Sequence, residues 1–301
     1  MSSRSEFTFP SSDGRTQIHA VEWLPEEHGP VGVLQLAHGI AEYALRYEPF
    51  ARYMNRRGFI VAANDHLGHG RSVAEGAPGL YFGERDGWKH AVDDMYALRR
   101  LMGERYPGLP YAVLGHSMGS FLTRTYLIRF PGTARLALGR LAVLAASRRT
   151  GPDSPSAIAE RLVFGSYNRA FAPNRTDCDW LSASEENVGR YLADPLCGGK
   201  VSVGLFLDLI EGMRFIGRPS NLRHMNLNTP VLFLSGSRDP VGGMGRGVRA
   251  AYGSFRAAGV RDVELRLYDG LRHEILNEDS REIVYADIAR WLTDRLGRGG
   301  A

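Results

Sequence analysis

Short apolar runs alternate with helical patterns along most of this 301-residue chain. A continuously apolar run is typical of a strand that is buried on both faces of a sheet. Residues with helical spacing lie between successive runs, so the pattern favours a mostly parallel, doubly wound sheet covered by helices. The predicted strands are Val31–Ala37, Phe59–Ala63, Tyr111–Leu114, Leu141–Ala145, Val231–Leu234 and, near an edge, Val263–Tyr268.

The N-terminal segment and the helical stretches complete this predicted core. Phe7 and Phe9 precede a turn at Ser11–Gly14, and alternating apolar residues follow it, which predicts a β-hairpin. Apolar residues with helical spacing predict helices at Tyr47–Met54, His90–Tyr106, Phe121–Phe130 and Ile283–Leu296.

One long stretch interrupts the alternation. Between Arg148 and Asn228 no buried strand is evident, and the stretch opens on Gly151–Pro155, whose composition suits a linker. We therefore predict one α/β core formed by residues 1–147 and 229–301, with a helical cap or lid at 148–228 inserted before the next strand. Several apolar residues of the cap either pack it onto the core or line an acyl-binding pocket beneath it. They are Leu205, Phe206, Leu209, Ile210, Met213 and Ile216.

Charge and cysteine content exclude several classes of protein. The net charge of +4 is small against 37 cationic and 33 anionic side chains. The arginines are scattered, so no nucleic-acid partner is expected. The two cysteines, Cys178 and Cys197, are too few for a secreted disulfide scaffold. We interpret them as small apolar packing residues, with a thiol near the pocket as the alternative.

No segment has the pattern of a targeting or membrane-spanning sequence. Met1–Pro10 lacks the apolar stretch of a signal peptide. No apolar run reaches the roughly 18 residues that a membrane helix needs. The sequence therefore predicts a cytoplasmic protein without an integral membrane segment.

The pentapeptide Gly115-His116-Ser117-Met118-Gly119 is the strongest chemical signal in the chain. It follows the predicted strand Tyr111–Leu114 and precedes the predicted helix Phe121–Phe130. A G-x-S-x-G sequence at a strand-to-helix turn is the nucleophile elbow, in which only glycine fits the positions beside a sharply turned serine. We therefore predict that Ser117 is a nucleophile at a helix N-terminus, where N–H groups can stabilise negative charge.

A serine nucleophile requires a base, and the base requires a carboxylate. His273 follows the predicted strand Val263–Tyr268, and Asp239 follows the predicted strand Val231–Leu234. In folds with this elbow the partners occur in the order Ser, acid, His, which favours these two residues over histidines that precede the serine. Asp262 and Asp269 are less favoured acids, because one precedes the strand and the other crowds the histidine loop.

Two backbone groups are expected to bind the oxyanion of an acyl-transfer reaction. The first is the N–H of Met118, which follows the nucleophile, and the second is the N–H of Ile40, in the loop after the strand Val31–Ala37. His66 and His69 form an H-x-x-H pair, but no third ligand is evident, so no metal is predicted.

Five segments or motifs stand out in the sequence: His38–Tyr47, the D-x-x-G-H-G-x-S segment in Asn64–Ser72, Gly115–Gly119, Asp194–Cys197 and Tyr268–Glu278. Together they resemble segments of monoacylglycerol lipases and of the lysophospholipase-like branch of the α/β hydrolases. The resemblance implies hydrolysis of acyl esters with one long or medium chain, without a cofactor. It also implies that Ser117, Asp239 and His273 are the triad and that Ile40 and Met118 are the oxyanion donors. Tyr43, Ala41 and Ser120 depart from the residues common in that family.

The expected partner is therefore a small acyl ester, of monoacylglycerol or lysophospholipid type. Transient membrane contact through the cap remains open, and the sequence does not set an oligomeric state. One alternative is a proline-iminopeptidase-type aminopeptidase on the same fold, for which Glu185 and Glu186 could hold the substrate amine. A non-catalytic ligand-binding module is disfavoured, because all three candidate catalytic side chains are present.

Overall fold

Eight strands of the described chain form one sheet. The structure is a computed structural model that describes residues 3–25, 29–139, 165 and 167–297. The strand order is β1-β2-β4-β3-β5-β6-β7-β8, in which β1 and β2 and then β2 and β4 pair antiparallel and every other pair is parallel. The strands are β1 (Ser3–Pro10), β2 (Gln17–Leu24), β3 (Gly32–Ala37), β4 (Phe59–Asn64), β5 (Tyr111–Gly115), β6 (Leu136–Gly139), β7 (Val231–Gly236) and β8 (Val263–Tyr268).

Helices cover both faces of this sheet. Residues of α2, α3, α5 and α7 join one buried apolar cluster, whereas residues of α1 and α8 join a second cluster on the other face. The doubly wound arrangement predicted from the alternating pattern is therefore confirmed. The helices of the described ranges are α1 (Glu48–Asn55), α2 (Gly87–Arg105), α3 (Met118–Arg129), α4 (Glu185–Ala193), α5 (Val203–Gly217), α6 (Pro219–Leu222), α7 (Arg246–Ala258) and α8 (Arg281–Gly297). None of them is both long enough and apolar enough to cross a bilayer.

The apolar runs form the strands because both of their faces lie under helices. Every residue of β3, β4, β5 and β7 is buried. β8 lies at the end of the sheet and its residues are only half-buried, in agreement with its prediction as an edge strand. The predicted hairpin corresponds to β1 and β2. The strand that pairs with β5 and β7 is β6, which precedes the predicted strand Leu141–Ala145; that segment and Gly151–Pro155 lie outside the described residues.

The helical cap is inserted between β6 and β7. Its described part, residues 167–228, contains α4, α5 and α6 and no strand. Helix α5 lies very close to α2, since a Cβ atom on Gly212 would lie 2.1 Å from Cε2 of Trp88. The indole Nε1–H of Trp88 in turn donates to Oγ1 of Thr125 in α3, at 3.1 Å. Gly212 therefore lets the cap helix pack directly on an anchored tryptophan ring of the core.

Candidate active site

Ser117 lies at a sharp turn between β5 and α3. Its backbone has φ +50° and ψ −120°, an uncommon conformation for a residue with a side chain. A Cβ atom on Gly115 would lie 2.4 Å from the Gly119 carbonyl oxygen, and a Cβ atom on Gly119 would lie 2.1 Å from the Ala37 carbonyl oxygen. Both glycines of the pentapeptide are therefore required by close backbone approach, as the elbow interpretation predicts.

Ser120, which departs from the residue common in the family, supports this turn. Its hydroxyl donates to the carbonyl oxygen of Ser117 at 2.7 Å, and its backbone N–H donates to the same oxygen at 2.9 Å. The side chain is buried beside Gly139, whose added Cβ would contact it at 3.6 Å. A serine therefore fits here and adds a hydrogen bond to the turn.

His273 and Asp239 are brought together by the ends of β7 and β8. Nδ1 of His273 lies 3.0 Å from Oδ1 of Asp239, and both side chains are buried. The backbone N–H of Val241 donates to the same carboxylate oxygen at 3.1 Å. Because Nδ1 faces a carboxylate, it carries a proton, and Nε2 of the neutral ring is left to accept one.

The loop after β3 is held by two side chains, one hydrogen-bonded to the N–H of Gly39 and the other to its carbonyl oxygen. The backbone N–H of Gly39 donates to Glu42, and the Gly39 carbonyl oxygen lies 2.7 Å from Nδ1 of His38. The backbone N–H of His66 donates to Nε2 of His38 at 2.8 Å, so Nε2 is the acceptor and Nδ1 is the donor to Gly39. Burial lowers the pKa of His38, which keeps this ring neutral.

This arrangement fixes the orientation of the Ile40 amide. The Gly39 carbonyl and the Ile40 N–H belong to one planar peptide unit and point in opposite directions. Because the Gly39 carbonyl accepts a hydrogen bond from His38 and points towards it, the Ile40 N–H points away from His38. Gly39, Ile40, Ser117 and Met118 all line the same cavity, and a Cβ atom on Gly39 would lie only 3.2 Å from Cβ of Ser117. The expected oxyanion donors therefore lie beside the expected nucleophile.

A buried ion network lies behind this loop. Arg46 donates to Glu42 at 2.6 Å and to the two carboxylate oxygens of Glu274 at 2.8 and 2.9 Å. The amide of Asn187 in α4 also donates to Glu274, at 2.7 Å. Burial alone would raise the pKa of Glu274, but the charge of Arg46 and these hydrogen bonds hold the pKa at about 2. The network therefore links the Ile40 loop, the histidine loop and the cap through charged side chains that are hydrogen-bonded to their partners.

A cavity of about 230 Å³ connects these elements. Ser117 and His273 line it, and Trp180, Leu181 and Leu209 of the cap form part of its apolar wall. The rings of Trp180 and His273 lie 5.2 Å apart, between ring centroids. Its described lining includes carboxylates but no lysine or arginine. The site can therefore receive an apolar chain beside a serine hydroxyl and an imidazole.

Comparison with known proteins identifies the family of the chain. Residues 28–280 match the family of hydrolases described as serine aminopeptidase, S33. A monoacylglycerol lipase of Mycolicibacterium smegmatis is 34% identical over 299 residues, which are 98% of this chain and 99% of that protein. The chain belongs to this hydrolase family. Human monoglyceride lipase is 28% identical over 282 residues, covering 90% of this chain and 85% of the human protein.

The solved structures give the same result for the fold. A thermostable carboxyl esterase of Bacillus coagulans, solved in complex with glycerol, superposes with a TM-score of 0.88 and 26% identity. The match covers 98% of this chain and 99% of the esterase. The chain is therefore an α/β-hydrolase with a helical cap, a monoacylglycerol lipase-like serine enzyme that hydrolyses esters.

The structure distributes the predicted cap residues of this hydrolase between packing and lining. Of the six apolar positions, Leu209 lines the cavity, whereas Leu205, Phe206 and Ile216 are buried in the core cluster. Cys178 lines the cavity, and burial raises the pKa of its thiol to about 11. Cys197 packs against the core cluster. Cys178 packs against the same cluster, so the packing interpretation describes both cysteines and the alternative of a thiol near the pocket describes Cys178 as well.

The remaining candidates lie away from the cavity. The ring of His66 packs against that of His38, with 4.2 Å between their centroids, and burial lowers the pKa of His66 well below its usual value. The side chains of Glu185 and Glu186 are 80% and 77% exposed, and they pair with Arg175 and Arg190.

The charged residues that surround the site are not evident from the sequence. Arg46, Glu274 and Glu278 were not among the candidates, although Glu274 and Glu278 follow His273 at a spacing of one and five residues. The available signal was the presence of two carboxylates directly after a candidate catalytic histidine. Their partners could not be found from the sequence, because Arg46 and Glu274 are 228 positions apart.

Proposed function

We propose that this hydrolase cleaves monoacylglycerol-like esters, with Ser117, Asp239 and His273 as its catalytic triad. The observation that carries the proposal is the buried His273–Asp239 pair at the wall of a cavity that Ser117 also lines. The strained turn at Ser117 adds support, because backbone strain of this kind concentrates at functional sites.

The mechanism proceeds through an acyl-enzyme. Nε2 of His273 accepts the proton of the Ser117 hydroxyl as its oxygen attacks the ester carbonyl carbon. The N–H groups of Ile40 and Met118 bind the oxyanion, while Asp239 stabilises the imidazolium. The C–O bond to the alcohol then breaks, and the alcohol leaves with the proton from His273. Water gives a proton to the same ring and attacks the acyl carbon. The bond between this carbon and the Ser117 oxygen then breaks, the fatty acid is released, and His273 returns the proton to Ser117.

Two features of the cavity support a neutral head group. Glu42, Asp177 and Glu274 line the described cavity together with apolar side chains, and Arg46 is already bonded to two of these carboxylates. These negative charges would repel a phosphate group, and the described lining contains no lysine or arginine that could bind it. The names of the two lipase relatives agree with a monoacylglycerol rather than a lysophospholipid.

The aminopeptidase alternative has less support. Glu185 and Glu186 were the carboxylates expected to hold a substrate amine, and both are exposed and paired with arginines. Of the three carboxylates that line the described cavity, Glu42 and Glu274 are paired with Arg46, whereas Asp177 is an exposed residue. We therefore expect no turnover of aminoacyl arylamides, measured beside p-nitrophenyl esters of graded chain length and monoacylglycerols.

Replacement of the nucleophile is the decisive test. We expect Ser117→Ala to reduce ester turnover by at least about 10⁴-fold while the melting temperature stays near that of the parent. Ser254→Ala, in α7 and away from the cavity, is the control and should retain full activity. Labelling by a fluorophosphonate probe should disappear in Ser117→Ala alone, and labelling would also exclude a non-catalytic binding module. Parent-like turnover in Ser117→Ala would contradict the proposal.

The cap carries a further expectation about membranes. Leu192, Leu196 and Leu207 of the cap are 50%, 40% and 40% exposed, which supports transient contact with a lipid interface. We expect Leu192→Ser/Leu196→Ser to weaken co-sedimentation with neutral lipid vesicles without changing turnover of a short-chain ester. The cap boundaries at 148 and 228 and the cytoplasmic location remain predictions.

A further inference from the structure

The histidine loop has no regular secondary structure of its own. β8 ends at Tyr268 and α8 begins at Arg281, and His273 lies between them. The bond to Asp239 restrains one edge of the ring, but it does not fix the backbone of the loop. Other contacts must therefore hold the loop at the site.

Two side chains of this loop hold one peptide unit of the cap from both ends. Nη1 of Arg272 donates to the carbonyl oxygen of Ser182 at 3.1 Å and also to that of Asp179. The carboxylate of Glu278 accepts the N–H of Ala183 at 2.9 Å. The Ser182 carbonyl and the Ala183 N–H belong to the same peptide unit. Arg272, one residue before His273, therefore binds one end of this peptide unit, and Glu278, five residues after His273, binds the other end.

Glu278 also joins the cap to the backbone next to His273. It accepts the hydroxyl of Ser182 at 2.6 Å and the N–H of Ser184 at 3.2 Å. Its other oxygen accepts the backbone N–H of Arg272, the residue before His273, at 2.9 Å. The side chain is only 1% exposed, and a buried carboxylate is stable only with such a set of donors.

The residue after His273 is bonded to the same cap loop. The backbone N–H of Glu274 donates to the carbonyl oxygen of Leu181 at 2.7 Å. Its side chain accepts the amide of Asn187 in α4. Arg272 and Glu274, the two residues next to His273 in sequence, are therefore both hydrogen-bonded to the cap loop 179–184.

We propose that the cap loop 179–184 is a fixed part of the catalytic site, and that Arg272 and Glu278 are positioning residues that hold His273 through it. The proposal rests on the proposed function, since it assigns a role to the surroundings of the base. It follows that this part of the cap does not lift as a lid, because lifting it would displace His273. Substrate must enter while residues 179–184 stay in contact with the histidine loop.

The main test is Glu278→Gln, which keeps the shape of the side chain and removes its charge and one acceptor. We expect kcat to fall about tenfold or more, with KM within about threefold, because a loosened base affects the chemical step more than binding. The acid limb of the kcat/KM profile should move to lower pH, since a weaker contact with Asp239 stabilises the imidazolium less. The matched control is Glu282→Gln, an exposed carboxylate one turn further along the chain, which should leave kcat and the profile unchanged.

A second variant keeps the test valid if Glu278→Gln does not fold. Ser182→Ala removes one hydroxyl bonded to Glu278, and we expect it to lower kcat about two- to fivefold in the same direction. In a folded double variant the effects should not multiply, because both act through one contact. Parent kcat and pH profile in either folded variant, with only a lower melting temperature, would overturn the proposal. Ester turnover by Ser117→Ala would instead overturn the proposed function.

Discussion

At the scale of single residues, the site depends on side chains that orient backbone groups. Gly39 is bonded at its N–H by Glu42 and at its carbonyl by His38. The tautomer of His38 follows from the His66 amide that donates to Nε2. The expected oxyanion donor at Ile40 is therefore oriented before any substrate binds, which is the condition for strong electrostatic stabilisation of a transition state.

Two substitutions of His38 separate its hydrogen bond from its bulk. The amide nitrogen of asparagine overlies Nδ1 of histidine, whereas that of glutamine overlies Nε2. We therefore expect His38→Asn to keep most of kcat and His38→Gln to lose about ten- to a hundredfold, with KM little changed. Steady-state kinetics on one ester at saturating substrate provide the measurement. Equal losses in the two variants would mean that packing, not the bond to Gly39, is what His38 contributes.

At the scale of elements, the sequence predicted what depends on local pattern. The strands follow from continuous apolar runs, and the elbow follows from two glycines that flank Ser117 between a strand and a helix. The order of the triad candidates gave His273 and Asp239, which the structure brings within 3.0 Å. These features can be predicted because they depend only on residues that are close in sequence or on the known order of triad residues along the chain.

The features that the sequence did not reveal depend on distant pairs. The contact of Glu278 with Ser182 joins residues 96 positions apart, and the contact of Gly212 with Trp88 has no local pattern. Helix α7 was not predicted, although its apolar face is buried. A glycine such as Gly212 usually weakens a helix, whereas in the structure it allows close packing of α5 on Trp88 of α2.

Docking of the cap helix can be tested by adding one methyl group. We expect Gly212→Ala to lower the free energy of unfolding by about 2 kcal/mol or more, because the methyl would overlap the Trp88 ring. Gly189→Ala is the matched control, since it also lies in a cap helix and has open space around its added Cβ. Helix propensity alone predicts that the control stabilises by about 0.5–1 kcal/mol. Urea unfolding of both variants measures the difference, and equal effects would contradict a packing role for Gly212.

At the scale of the whole molecule, buried histidines couple stability to pH with opposite signs. Burial lowers the pKa of His69 to about 3, although its ring nitrogen Nδ1 lies 3.1 Å from the Leu67 carbonyl oxygen. The hydrogen bond that the His19 ring donates to Asp65 outweighs burial and raises the pKa of His19 above its usual value. A group with a lowered pKa destabilises the folded state as the pH falls below about 6.5, because the unfolded chain then binds the extra proton. A group with a raised pKa stabilises it fully below about 6.5 and loses that contribution as the pH rises through the folded pKa.

Two asparagine variants distinguish these contributions. His69→Asn retains an amide donor for Leu67 but does not titrate, so the slope of unfolding free energy against pH near pH 5 should decrease by up to about 1.4 kcal/mol per pH unit. His19→Asn should instead remove the loss of stability above about pH 6.5. Urea unfolding between pH 4.5 and 8.5, taken as difference curves from the parent, measures the contribution of each histidine together with that of any carboxylate it contacts. An unchanged acid slope in His69→Asn would mean that His69 accepts its proton while the protein is still folded, and would place the acid-sensitive group elsewhere in the core.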